Sequence, residues 1–155
     1  MNHLVKSVLA VLITLFLSNC ASYKPEGQGV VGKVTWLEGN QMPTIVEEGK
    51  KNKRTTVGEP VKRTVRIYPV MKISDVTLED GLFKSVVAKP LTEVQTDENG
   101  EYTVNLSPGK YTVLTVEEGG LFASIFDGDG NIQPVTIQEG EWTLLDIVVN
   151  YKAAY

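Results

Sequence analysis

Residues 92–118 read TEVQTDENGEYTVNLSPGKYTVLTVEE, and their turn chemistry indicates the fold class. Asn99-Gly100 is a strong hairpin signal, because both residue types tolerate a positive φ. Apolar and polar residues then alternate over 102–106, which is the period of a half-buried strand. The sequence SPGK at 107–110 places proline and glycine at the positions favoured in a type II turn. The segment therefore predicts three strands in an antiparallel meander.

The same alternation occurs on both sides of this segment, and no long 3.6-residue period follows residue 20. Residues 121–126 and 132–138 flank the turn-rich DGDGN and predict a second hairpin. Seven or eight strands in about 125 residues predict an all-β protein, an antiparallel two-sheet β-sandwich. The predicted one-faced sets are Val30, Gly32, Val34 and Trp36; Val61, Arg63, Val65, Ile67 and Pro69, with Arg63 the polar exception; and Leu145, Ile147, Val149 and Tyr151.

Cys20 is the only cysteine of the chain and ends an apolar run that begins at Val8. Lys6 precedes that run, which has about half the length needed to cross a bilayer. A charged start followed by a short apolar region is typical of a secretory signal peptide. LSNC at 17–20 resembles the lipobox of bacterial lipoproteins, in which the thiol becomes a thioether to diacylglycerol and the chain is cut before the cysteine.

Acylation of Cys20 would also account for a single cysteine in a secreted chain, where an unpaired thiol has no internal partner. Several acyl chains on one residue make release from a membrane very slow. We therefore predict a signal peptide at 1–19, a lipidated cysteine and short tether at 20–28, and one domain at 29–155. Ala21 in place of Asp favours the outer membrane by resemblance to Gram-negative sorting, with the periplasmic and surface orientations both open.

The charge of the mature chain argues against one class of partner. Without Lys6, 14 basic and 19 acidic residues remain, so the formal charge is about −5. Nucleic-acid binders carry basic patches, so we expect no nucleic acid. Residues 50–66 nevertheless hold seven Lys or Arg and one Glu. They predict either a solvated loop and strand or a contact surface for anionic lipid headgroups and lipopolysaccharide phosphates.

The residues that usually carry catalysis are scarce. His3, the one histidine, lies in the predicted signal peptide. Ser-His-Asp and Cys-His catalysis and histidine or cysteine zinc sites are therefore excluded as usually built. The pairs Glu117-Glu118 and Glu47-Glu48 are sequence neighbours, which point to opposite faces of a strand. We expect no enzyme and no resident cofactor.

The DGDGN turn was compared with a calcium loop, because Asp127, Asp129 and Asn131 alternate as in an EF-hand. That loop requires Gly at its sixth position and Glu at its twelfth, and Ile132 and Gln138 stand there. A Gly-rich hairpin turn is the simpler interpretation. An irregular calcium site that uses Asp127, Asp129 and Asn131 is the alternative.

Aromatic residues divide into two groups. Trp36, Tyr102 and Tyr111 are in phase with inward aliphatic residues, which predicts core packing. Trp142, Phe122 and Phe126 are the candidates for a sugar-stacking platform, because an aromatic ring offers a flat apolar face.

Three segments together resemble a known family: GVVGKVTW at 29–36, TDENGEYTVNLSPGKYTV at 96–113 and VTIQEGEWTLLDIVV at 135–149. Their order and spacing are similar to those of the carboxypeptidase regulatory-like domain, a transthyretin-like β-sandwich. The resemblance spans 29–151, except 38–60 and 70–90. Small lipid-anchored versions look like envelope proteins of Bacteroidota, and the family implies no catalytic residue.

These observations predict a non-catalytic, lipid-anchored envelope protein that acts as an accessory or protein-interaction module. The membrane, through Cys20, and an envelope protein are the expected partners. A carbohydrate-binding module and a calcium-stabilised adhesion-type module are the alternatives. An interaction module predicts an exposed apolar patch or an open sheet edge.

Overall fold

The computed structural model describes residues 27–42 and 58–155. Within them the chain forms fourteen β-strands and a short 3-10 helix at Ile73–Asp75, in two main sheets that pack as a sandwich, which confirms the predicted fold class. The strands are β1 Gly29–Trp36, β2 Gly39–Asn40, β3 Glu59–Pro60, β4 Thr64–Pro69, β5 Leu78–Glu79, β6 Leu82–Phe83, β7 Thr92–Gln95, β8 Glu101–Asn105, β9 Gly109–Glu117, β10 Gly120–Phe122, β11 Pro134–Ile137, β12 Trp142–Leu144, β13 Ile147–Val149 and β14 Ala153–Ala154.

Sheet I is built around β1. The strands β12 and β13 pair with it in parallel and in one register, Gly29 opposite Trp142 and Val34 opposite Ile147, so they form one C-terminal strand interrupted at Leu145. On its other side β1 pairs antiparallel with β8 and then β3. The parallel pairing differs from the predicted antiparallel arrangement. Side-chain alternation is the same for either direction, so the sequence pattern does not distinguish them.

Sheet II is antiparallel and larger, with the strand order β5-β6-β10-β9-β4-β7. Its longest strand, β9, pairs along one side with β4. Along its other side β9 pairs first with β11 and then with β10. The predicted strand from Val61 begins at Thr64, and the three residues before it lead the chain into the sheet.

The predicted meander at 92–118 is wrong. The strands β7 and β9 both pair with β4 in sheet II, whereas β8 pairs with β1 in sheet I. The two turns therefore carry the chain from one sheet to the other. At the first turn Gly100 has φ 76°, and a Cβ there would lie 2.3 Å from the Val34 carbonyl oxygen, so the close crossing requires glycine.

Only the tip of the predicted second hairpin is formed. Phe126 and Ile132 form an isolated bridge around the turn, and β11 then pairs with β9 rather than with residues 121–126. Residues 121–122 belong to β10, which pairs with β9 as well. Both arms pair with β9 instead, because this strand of 9 residues offers backbone donors and acceptors to each of them.

Two apolar cores lie on the two faces of sheet II. In β9, Val113 points into the core between the sheets, and Leu114 points into a second core on the outer side. Met71 and Val76, from 70–90, help to cover that outer side. The inter-sheet core contains Val30, Val34, Val65, Ile67, Leu82, Tyr102, Val104, Val113, Phe122, Val135, Ile137, Ile147 and Val149, and the outer core contains Tyr68, Met71, Phe83, Leu114, Leu121, Ala123 and Ile132.

Candidate functional site

The predicted lipidation site, Cys20, lies outside the described residues, as do the signal peptide at 1–19 and residues 21–26 of the tether. The tether joins the domain at one pole, which we call the tether pole. There the Gln28 side chain accepts a hydrogen bond from the Gly140 N–H (2.8 Å), and the Gly29 N–H donates to the Glu141 carbonyl (3.2 Å). The segment that follows the tether is therefore fixed to the sandwich as soon as β1 begins.

The basic stretch 50–66 is described only from residue 58. Its three described cations each lie beside a carboxylate: Lys62 beside Glu98 (2.8 Å), Arg66 beside Glu93 (2.9 Å) and Arg63 beside Glu117. The first two pairs are on the surface, where an ion pair contributes little to stability. These cations are partly neutralised, so the described part of the stretch gives no support to an anion-binding surface.

The Arg63–Glu117 pair is the functional-looking cluster that sequence reasoning missed. The Arg63 Nε–H lies 3.1 and 3.0 Å from the two oxygens of Glu117, whose side chain is only 1% exposed. The guanidinium lies over the Trp36 ring at 5.4 Å. Arg63, directly before β4, and Glu117, the last residue of β9, both occupy inward positions. The sequence shows this only as a charged residue where the alternation predicts an apolar one.

The Arg63–Glu117 pair lies at one end of the inter-sheet core, among aromatic side chains. Tyr151 packs edge-on against Trp36 at 5.3 Å, and Lys152 Nζ lies 5.7 Å from the Trp36 ring centroid. Burial and then the Glu117 charge raise the pKa of the Tyr151 phenol. Glu117 is buried at the end of β9, whereas Glu118 lies in the turn that follows and is exposed.

The calcium candidates form a self-contained turn. Asp127 Oδ1 accepts hydrogen bonds from the N–H groups of Asp129 (3.0 Å) and Asn131 (2.8 Å), and its Oδ2 accepts one from Asn131 Nδ2 (2.6 Å). These bonds, chiefly that from the Asn131 side chain, hold the pKa of Asp127 below its usual value. Over residues 27–42 and 58–155, no group of three or more His, Cys, Asp or Glu is placed to hold a metal ion. The calcium alternative stays a prediction.

The three candidates for sugar stacking lie apart. Phe122 is 4% exposed and packs in the inter-sheet core against Tyr151, so its ring is not available to a sugar. Phe126 is exposed beside the outer core and rests edge-on against Phe83. Trp142 belongs to sheet I. By contrast, the core positions predicted for Trp36, Tyr102 and Tyr111 are confirmed.

The outer face of sheet I lacks a second core of the kind that covers the outer face of sheet II among the described residues. We call it the open face. No described segment covers it, and Leu144 and Val148 are 69% and 37% exposed there. A shallow depression of about 250 Å³ lies in its centre. Its lining residues are Val31, Gly32, Lys33, Glu101, Tyr102, Thr103, Leu144 and Asp146.

The floor of the depression is rigidly built. The Tyr102 hydroxyl donates to the Leu145 carbonyl (2.6 Å), and the Lys33 N–H donates to Asp146 Oδ1 (2.8 Å). Gly32 allows the Leu145 carbonyl to lie this close to β1, because a Cβ at residue 32 would be 1.9 Å from the Leu145 oxygen. Burial, assisted by the Asp146 charge, raises the pKa of Tyr102, so its phenol stays a hydrogen-bond donor at neutral pH.

No family model, no curated protein and no solved structure matches this chain. The resemblance to carboxypeptidase regulatory-like domains therefore stays a prediction. None of the helical residues in the described part of the chain makes a helix long and apolar enough to cross a membrane.

Proposed function

We propose that this chain is a non-catalytic, lipid-anchored protein of a bacterial cell envelope that acts as an accessory or protein-interaction module. The observation that carries this proposal is the open face. Leu144 and Val148 expose apolar side chains on the outward side of the C-terminal strand, with charged Asp146 between them and Lys33 beside Asp146 on β1. Exposed apolar groups with polar neighbours are typical of protein contact sites.

The anchor is supported by the sequence and by the position of the tether pole. Seven Cα–Cα steps separate Cys20 from Gly27, and they reach at most roughly 25 Å when extended. A domain held that closely at one pole would stand with its strands pointing away from the bilayer. The open face, which runs along the strands, would then be accessible to other envelope proteins from the side.

The non-catalytic role is proposed on the sequence, which has no histidine after residue 3 and a single cysteine. Two carboxylates also have structural partners: Glu117 is engaged by Arg63, and Asp127 is engaged by its own turn. The family resemblance, to a carboxypeptidase regulatory-like domain of a Bacteroidota-type lipoprotein, agrees with this proposal.

The proposal is tested by cross-linking in cells with the full-length lipidated protein. A photo-reactive amino acid is placed at Leu144 on the open face, and at Val87 as the matched control, which is 91% exposed on the segment after β6. We expect one dominant cross-linked protein from position 144 and none from 87. Mass spectrometry of the mature N-terminus should find an acylated Cys20.

Equal, scattered capture from both positions would contradict the interaction role of the open face. An unmodified Cys20 would instead contradict the anchor and leave the interaction role standing. The two halves of the proposal are therefore tested separately in one preparation.

A further inference from the structure

The open face is complementary to itself, and the geometry points to a two-fold symmetric dimer in which the open faces of two copies pack together. This inference rests on the proposed interaction role of the open face and names its partner as a second copy of the chain.

The register of sheet I provides the first argument. The C-terminal strand lies beside β1 with a constant offset, so every outward residue of β1 has a fixed neighbour on that strand. Lys33 and Asp146 are one such pair, joined through the Lys33 N–H. The four outward pairs, from the tether pole upward, are Gly29 with Trp142, Val31 with Leu144, Lys33 with Asp146 and Thr35 with Val148.

A two-fold axis that runs along the strands, between β1 and the C-terminal strand, exchanges these two columns. Leu144 then faces the second copy's Val31, and Asp146 faces the second copy's Lys33. These two central levels join apolar to apolar and acid to base, and each contact occurs twice, as an isologous interface requires.

Charge and exposed apolar surface together favour this axis. Glu101, Lys33 and Asp146 lie in one row across the three strands, negative, positive, negative. An axis above β1 would place Lys33 against itself and Glu101 against Asp146, and like charges facing each other are unfavourable. Moving the axis by half a strand spacing to either side pairs Lys33 with a carboxylate, but only the side of the C-terminal strand also places exposed Leu144 against Val31.

The tether supplies a further argument. An axis along the strands keeps both tether poles at the same end of the dimer, so both copies can be anchored in one membrane. An axis across the strands would send the two tethers in opposite directions. Anchoring confines the copies to a plane in one orientation, which raises their effective concentration.

The size of the face sets the expected strength. About the proposed axis only β1 and the C-terminal strand overlap, and two strands about 4.8 Å apart with eight residues of about 3.3 Å give roughly 250 Å² per copy. This is about a third of the area that each partner contributes to a standard interface. We therefore expect dimers in the membrane and monomers in dilute solution.

The test uses the full-length lipidated protein in its own membrane. With Cys20 acylated, Leu144→Cys introduces the one free thiol, and a short bismaleimide should link two copies into a species of twice the mass. Val87→Cys, equally reactive but away from the open face, should give at least about tenfold less dimer. Adding Lys33→Glu to Leu144→Cys should lower the yield about tenfold, because the new carboxylate faces Asp146 of the second copy.

Folding is checked by thermal melting of every variant, and Val148→Lys in the Leu144→Cys background is a second disrupting change that leaves the charge row intact. Leu78→Lys, at a half-exposed leucine on the edge of sheet II, is the control that should keep the dimer. Equal dimer yields from Val87→Cys and Leu144→Cys, or equal losses from Leu78→Lys and Val148→Lys, would overturn the dimer. With the photo-reactive amino acid at 144, cross-linking only to another protein would overturn the dimer and leave the proposed function standing, whereas no cross-link from 144 at all would overturn both.

Discussion

The outer faces of the two sheets differ in how far their side chains are buried. On sheet II, Leu114 is completely buried beneath a second core to which residues 70–77 and 123–133 contribute. On sheet I, Leu144 occupies the equivalent outward position on its strand and is 69% exposed. Two leucines in strands of the same kind thus differ in environment, because distant segments cover sheet II and none of the segments at 27–42 and 58–155 covers sheet I.

The largest effect should come from truncating these two leucines. Leu114→Ala should lower the free energy of unfolding by about 2–5 kcal/mol, because it leaves a cavity in the outer core. Leu144→Ala should change it by less than about 0.5 kcal/mol, as at most surface positions. Urea unfolding of dilute protein measures both. Similar losses for the two variants would mean that the open face is covered in the folded protein.

The floor of the open face can be disrupted without touching its surface. Gly32→Ala should destabilise the protein by about 3 kcal/mol, because the new Cβ would collide with the Leu145 carbonyl and overpack the strand pair. Gly128→Ala, where no atom lies within 4 Å, is the control with little effect. Thermal melting compares them, and a stable Gly32→Ala protein would show that the C-terminal strand can shift.

The Arg63–Glu117 pair closes one end of the inter-sheet core between the two faces. Arg63→Ala should cost about 2 kcal/mol, less than for a fully buried pair, because Arg63 is 27% exposed. Lys62→Ala, which removes a surface pair with Glu98, should leave the unfolding transition nearly unchanged. The loss from Arg63→Ala should shrink in a Glu117→Gln background, and an unchanged loss would assign it to contacts with Trp36 instead.

Tyr102 links β8 to the C-terminal strand beneath the open face. Tyr102→Phe should cost about 1 kcal/mol through the lost hydrogen bond to Leu145. The pKa of Tyr102 is raised on folding, so its contribution is complete below pH about 10 and is lost as the pH rises further, since the unfolded chain releases the phenol proton first. Between pH 8 and pH 11 the free energy of unfolding, measured by urea denaturation, should fall less for the variant than for the parent chain.

The smallest effect is expected in the turn beside the covered face. Folding lowers the pKa of Asp127, so its carboxylate contributes stability above about pH 4, and this contribution is lost as the pH falls through the folded value. Asp127→Asn should therefore reduce the drop in melting temperature between pH 5 and pH 3. Asp129→Asn, which removes a charge from the same turn, should retain that drop, and identical profiles would disprove a special role for Asp127.

The candidate site shows how far local pattern reasoning extends. Alternation from 102 to 106 correctly placed Tyr102 in the core. The partner strands were misread, since β8 belongs to sheet I and its sequence neighbours to sheet II. Arg63 was recognised as a polar exception, but its buried partner lies 54 residues further along the chain.

The covered face could not be predicted for the same reason. Residues 70–90 show no clear alternation, because Met71 and Val76 pack on the outside of a sheet rather than within one. Phe122 and Phe126 are four residues apart, yet one is buried between the sheets and the other lies exposed beside the outer core. Their separation depends on where the chain leaves β10.

The all-β sandwich, the positions of most strands and turns, and the inward-facing residues follow from the amino-acid sequence. Turn conformations and the two-residue alternation depend on neighbours a few positions apart, so the sequence carries them directly. The strand pairing, the contact of Arg63 with Glu117, and the covering of sheet II but not of sheet I by the described segments are visible in the folded domain alone. These depend on contacts between segments far apart in the chain, where many pairings satisfy the same local pattern and only the packing of the whole domain selects one.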